Sequence, residues 1–192
     1  MDKKIEQPAD KPKGIWQFPW GYAEGFTLTL SLLLIGFAIE WLSHGQKIVM
    51  PGFPLNLVAG GLFLASLIAL NRMRRGNPLV KWLESVPAAF SGMGLLMLLV
   101  LALGLIPQQE NIGTATSSRL GLHHLTRSWP FVLLQIYVLT SLGLITLKRI
   151  RPFRGRNIGF FLNHAGLWLV IAAGALGSGD TRTITMTLPY GQ

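Results

Sequence analysis

Five runs of mainly apolar residues, each close to twenty residues long, set the limits on what this chain can fold into. They lie at about 21–42, 53–71, 86–106, 129–147 and 158–177, and twenty residues of α-helix cover roughly 30 Å, the thickness of a bilayer's hydrocarbon core. In lipid a backbone N–H or C=O has no water to turn to, so each run predicts a spanning helix that satisfies its own backbone. The second run, FPLNLVAGGLFLASLIALN, is short, contains glycines and is polar at both ends; a re-entrant segment is the alternative there. The expected fold class is an all-α integral membrane protein with five transmembrane helices.

Basic residues set the expected direction of threading. Five crossings place the tail lysines, Arg72, Arg74, Arg75, Lys81, Lys148, Arg149, Arg151, Arg154 and Arg156 on one side, thirteen of the seventeen Lys and Arg, and leave Lys47, Arg119, Arg127 and Arg182 on the other. Removing the second helix would move the 72–81 cluster across and spoil this asymmetry. Because cytoplasmic loops carry the excess of Lys and Arg, the N-terminus is expected in the cytoplasm and the C-terminus on the exported side of an inner, cytoplasmic membrane. A net charge of +9 with a pI near 10.5 would otherwise suggest nucleic acid. Here the charges sit in short clusters between apolar runs, so the expected partner is the lipid bilayer and not nucleic acid. The first run is too long for a signal-peptide core and has no small-residue cleavage site behind it, so it is expected to stay in the mature chain. There is no Cys, which excludes disulfides, thiolate metal sites, thioredoxin chemistry and haem attachment through C-x-x-C-H.

The chain divides into a basic, polar tail at 1–20 ending in the aromatic WQFPW, a two-helix segment at 21–71, a three-helix segment at 86–177 and a final stretch at 178–192. The tail is expected to be disordered, then interfacial at its aromatic end. Gly61, Ala65 and Ala69 recur every four residues, as do Ala173 and Gly177, and such small faces predict close helix packing. From Thr181 the sequence TRTITMTLPYGQ alternates polar and apolar, the pattern of a short exported strand. One strand with an apolar face needs partners for that face and for its backbone, so either the chain has been cut or a second protein completes the sheet.

Motifs of soluble enzymes are absent: no Walker lysine loop, no G-x-S-x-G and no H-E-x-x-H. Glu24 and Glu40 are the acids inside apolar runs, each near an end where a carboxylate is expected to reach water. His164, in FFLNHAGLW, lies six residues into the fifth run, or about 9 Å deep at 1.5 Å per residue. At that depth an imidazole needs a hydrogen-bond partner or a metal. A neutral imidazole offers one nitrogen to iron and one N–H to a supporting acceptor, as an axial haem ligand requires; an interhelical hydrogen bond, with Asn163 assisting, is the simpler reading. Phe160, Phe161 and Trp168, a turn or less away, suit the lining of a flat macrocycle or ordinary packing. His123 and His124 precede the fourth run beside Trp129. Adjacent helical residues diverge by about 100°, so the two are not expected to ligate one iron together; an outward-side haem or metal ligand is one reading, a pair of solvated interfacial histidines the other. His44 carries no assigned role.

Four features of the last hundred residues resemble the N-terminal membrane part of the ResB family, which acts in system II cytochrome c maturation. A hydrophobic helix ends in GLIPQ at 104–108. A connector ends in Ser128, Trp129 and Phe131. The next helix closes on Leu147, Lys148 and Arg149. Last, FFLNHAG at 160–166 is similar to the helix with the family's intramembrane histidine, which maps onto His164. The order, spacing and sidedness of these features agree over 86–192. The resemblance implies a CcsA-like membrane partner, sometimes fused in the same chain, with which haem b is bound, kept reduced and passed outward to apocytochrome c. His164 would then be the haem-iron ligand, and His123, His124 and Trp129 candidates for a later haem contact. It also implies at most a component of a holocytochrome c synthase. A large exported domain follows the third helix in that family, so 192 residues read as a fragment or a membrane-domain version, with 21–71 an N-terminal extension. Two other readings remain: a haem-binding anchor subunit of a quinol-oxidising respiratory complex, and a structural membrane scaffold.

Overall fold

The computed structural model describes residues 14, 16–74, 76–109, 114–150 and 155–181, with the side chain of residue 156 excepted. The first tail residues and the alternating segment from Arg182 onward lie outside the described residues. Among the described residues all the regular secondary structure is helical. Helices α1 (Tyr22–Leu42), α2 (Leu55–Met73), a short α3 (Pro78–Leu83), α4 (Val86–Leu105), a short α5 (Ala115–Arg119), α6 (Trp129–Arg149) and α7 (Ile158–Gly177) follow in order. A 3-10 segment, Leu122–Arg127, leads into α6. Helices α1, α2, α4, α6 and α7 are long and apolar enough to cross a membrane, and each of the five predicted runs has become one of them. The second run is a full helix of 19 residues, long enough to span at about 1.5 Å per residue.

Helix α6 is the centre. It packs against α1, α4, α7 and α2; half of its most apolar stretch is buried inside the bundle, against 6% for α7. The rest of the apolar surface turns outward: Leu62, Met97, Leu169 and Val170 are all more than 60% exposed. So wide an apolar exterior is unstable in water and matches a surface solvated by acyl chains.

Close contacts rest on glycines, but not on those the i, i+4 pattern singled out. Gly61, Ala65, Ala69, Ala173 and Gly177 all face outward. The packing face of α2 is instead the one carrying Phe63, Leu67 and Leu70, against Leu144 and Trp168. Large apolar side chains win that face because they fill the space beside α6, whereas the small stripe leaves it empty. The crossing of α1 over α6 depends on Gly36, where a Cβ would stand 2.5 Å from Pro130 Cα. Gly92 likewise receives the Tyr137 ring on its open side.

Polar side chains stitch the helices through spare carbonyl acceptors. Tyr137 Oη donates to Ala88 O at 3.0 Å, Ser141 Oγ to Leu83 O at 2.7 Å, Trp168 Nε1 to Leu139 O at 2.9 Å and Gln135 Nε2 to Ile171 O at 3.1 Å. Each such bond is worth about 0.6 kcal/mol in a membrane helix bundle, so the set orients the helices more than it stabilises them. The chain reverses at two ends. The N-terminal end holds the start of α1, the α2–α3–α4 turn and the α6–α7 turn; the opposite end holds the 43–54, 106–128 and 178–181 connections. At that opposite end Asp180 accepts from Phe53 N at 2.7 Å and from Asn56 Nδ2 at 2.6 Å, tying the end of α7 to the start of α2.

Candidate functional site

His164 lies on α7, half-buried, with its Nδ1 3.0 Å from Phe160 O one turn earlier. A carbonyl can only accept, so Nδ1 carries the proton and Nε2 holds the lone pair. Nε2 has no hydrogen-bond partner among the described residues. The imidazole is therefore bonded within its own helix and not across to a neighbour, and Asn163 faces outward without assisting it. The ring stacks on Phe160 with centroids 3.7 Å apart, and the Arg149 guanidinium lies 4.6 Å over the other partner, the Phe160 ring. Trp168 is committed to packing: it donates to Leu139 and stacks on Phe63.

The opposite end of the bundle holds a second polar cluster, organised by Glu40. This side chain is fully buried, contrary to the expectation that it reaches water: α1 runs two residues beyond Glu40, and the 3-10 segment closes over the carboxyl. Glu40 Oε2 accepts from the backbone N–H of Trp129, the first residue of α6, at 2.8 Å, and Oε1 lies 3.2 Å from His124 Nε2. An acid at a helix N-terminus is favoured by the unpaired N–H groups and the positive end of the dipole. Its own backbone carbonyl accepts from Gly45 N at 3.0 Å and from Ser43 Oγ at 2.9 Å. These bonds hold the left-handed turn of His44 and Gly45, with φ of 58° and 70°. Gly121, with φ of 67°, is needed on the other side, because a Cβ there would stand 2.7 Å from Glu40 Oε1.

His123 is buried and uses both ring nitrogens, Nδ1 donating to Pro107 O at 2.9 Å and Nε2 meeting Ser117 Oγ at 3.0 Å. It holds the connector to the end of α4. His124 uses Nε2 on Glu40. Trp129 enters through its backbone N–H, with its ring half-buried. The structure thus brings His123, His124 and Trp129 together at one end and leaves His164 at the other. His44 joins the first group, lining with His123, His124, Lys47 and Ser118 an open cavity of about 400 Å³. Among the described residues no three His, Asp or Glu side chains are placed to hold a metal ion.

Sequence reasoning overlooked two residues. The sequence alone suggests a solvated Glu40, although an acid two residues from the end of an apolar helix, ahead of a short loop, is also placed to cap a neighbouring helix. Glu84, outside the apolar runs, is buried at the end of α3 and meets Lys148 Nζ at 3.1 Å and Arg74 Nη1 at 3.6 Å. Comparison with protein-family models, with curated proteins and with solved structures finds no match in any of the three.

Proposed function

We propose that the chain is a component of system II cytochrome c biogenesis, helping a CcsA-like partner to bind haem b and pass it across the membrane for attachment to apocytochrome c. The single observation that carries this reading is the His164 imidazole, whose proton is fixed on Nδ1 by the Phe160 carbonyl while Nε2 keeps a free lone pair within the membrane-spanning part of α7. Ligating histidines characteristically donate their other N–H to such an acceptor, which fixes the tautomer and the ring plane. The His164 side chain would hold a haem group through Nε2. Haem, when bound, would supply the iron that this lone pair ligates. Phe160 holds the imidazole in orientation, and Arg149 places a positive charge next to that ring, suited to a ligand with carboxylates.

A further iron ligand, where one is needed, would come from the partner, since the other three histidines lie at the opposite end of the bundle. The motifs behind the resemblance also support the reading, because two of them have defined places. Pro107 accepts from His123, and Gln108 both donates to Leu122 O and accepts from Leu125 N. Ser128, fully buried, stands at the N-cap position of α6. In this reading the N-terminal end, with its basic loops, is cytoplasmic and the Glu40 end is exported.

The test is to purify the chain with its partner and record the haem absorption band. His164→Gly should weaken the band and added imidazole should restore it. An unchanged band in His164→Gly, or no haem in the wild-type complex, would remove the proposal.

A further inference from the structure

Helices α4 and α7 both pack on α6, with no comparable contact between the two, and a groove of about 310 Å³ runs in the gap they leave. Leu96 and Val100 of α4, Phe131 of α6, and Ile171 and Gly174 of α7 line it. Val100 and Gly174 are exposed at its rim, so the groove opens on the surface that acyl chains solvate. Its wall on α7 runs from Ser178 down to Val170, about 12 Å at 1.5 Å per residue. That is most of one leaflet's half of a roughly 30 Å hydrocarbon core.

The upper end of the groove, where the 3-10 segment meets the end of α7, carries a charge. Arg127 lines the groove there and is half-buried. Its Nη2 lies 3.5 Å from Ser178 O, and Ser178 lines the groove as well, so the guanidinium stands at the mouth. A guanidinium keeps its charge and has five N–H donors. One contact at that length leaves most of them unmatched. Among the described residues no carboxylate pairs with it. The described acids at this end are already engaged, Glu40 by Trp129 N–H and His124, and Asp180 by Phe53 N–H and Asn56. A partly buried cation without a counter-charge is costly, and one that heads an apolar groove matches a molecule with an anionic head and an apolar chain.

We propose that this groove holds one anionic phospholipid, its phosphate on the Arg127 guanidinium and one acyl chain along Val100, Phe131 and Ile171. The vertical order decides for a phospholipid: a bilayer presents phosphate at the level of the helix ends and chain beneath it, as the groove presents a cation and then apolar walls. The planar fork of an Arg side chain is also suited to two oxygens of one phosphate.

Native mass spectrometry of the full chain in a neutral detergent, titrated with phosphatidylglycerol, phosphatidylcholine or oleate, tests this. The wild type should retain one phosphatidylglycerol more tightly than either of the others. Arg127→Gln should weaken that retention about fivefold, the worth of one basic residue beside anionic lipid, and Arg127→Lys, which keeps the charge, should preserve the preference. The groove is probed separately at Gly174, where an added Cβ meets nothing within 4 Å. Gly174→Leu therefore fits and fills the space of the chain, so it should lower retention of phosphatidylglycerol and phosphatidylcholine alike. Gly166→Leu, at a position equally open but away from the groove, should change neither. Phosphatidylglycerol held no better than phosphatidylcholine or oleate, retention unchanged in Arg127→Gln, or Gly174→Leu behaving as Gly166→Leu does would each overturn the assignment.

Discussion

Glu40 illustrates how much one buried acid can organise. Its carboxyl holds the first N–H of α6 and the His124 ring, its carbonyl holds the turn of His44 and Gly45, and Gly121 has no side chain because one would occupy the carboxyl's place. Removing the carboxyl leaves the Trp129 N–H without its acceptor and the His124 ring without its partner at a fully buried position, so Glu40→Ala should destabilise the purified chain by about 3 kcal/mol. A drop in the thermal unfolding midpoint in detergent would measure it. Glu40→Gln keeps an acceptor oxygen for Trp129 N–H and should cost clearly less; equal losses from the two would mean that the carboxyl contributes only volume. Gly36 makes a different demand. Its missing Cβ lies against the Pro130 backbone, which cannot swing aside as a side chain would. Gly36→Ala should therefore force α1 off α6 and cost about 3 kcal/mol, the upper part of the range for overpacking, read from the same unfolding measurement.

At the scale of helices, what composition and length determine was legible in advance and what pairing determines was not. All five spanning helices follow from hydrophobic run length, because length in lipid is a one-dimensional requirement. The short α3 and α5 escaped notice, being six and five residues long, too short for an apolar period to register. The packing faces were misjudged in α2 because periodicity records which residues share a face, not whether that face meets a neighbour: Gly61, Ala65 and Ala69 point outward while Leu67 is buried. His164 was found because depth alone marks it. Glu40 and Glu84 were missed because their partners, His124, Trp129 and Lys148, are distant in sequence. The Glu84 junction joins the ends of α2, α3 and α6, and its members are unequal, since the carboxylate is 4% exposed whereas Lys148 and Arg74 are 46% and 38% exposed. Glu84→Gln releases two cations that water can solvate, at about 1 kcal/mol or less. Lys148→Met leaves a buried carboxylate with only the longer Arg74 contact, so it should be the more harmful of the two. Parallel unfolding of both variants decides, and the reverse order would place the energy of the junction outside the ion pair.

The whole molecule poses a question of direction, because a bundle that crosses a membrane puts its two ends in different compartments. The basic loops lie at the N-terminal end with α3, and the Glu40 cluster and its cavity lie at the other. If Lys and Arg set the orientation, the α2–α3 turn is cytoplasmic and the α1–α2 loop is exported. The complete lack of Cys makes this measurable without background. Gln46 is exposed in the α1–α2 loop, and Gly76 is exposed in the α2–α3 turn with open space where a side chain would go, so a single thiol at either position should leave the fold undisturbed. In intact cells a membrane-impermeant maleimide should label Gln46→Cys and spare Gly76→Cys until the membrane is opened. The opposite pattern would invert the molecule, turning His164 toward the exported half of the bilayer and leaving haem arriving from the cytoplasm to meet the Glu40 end first. Labelling of both positions on the same side would remove α2 as a crossing, and with it the charge asymmetry that gives the bundle its direction.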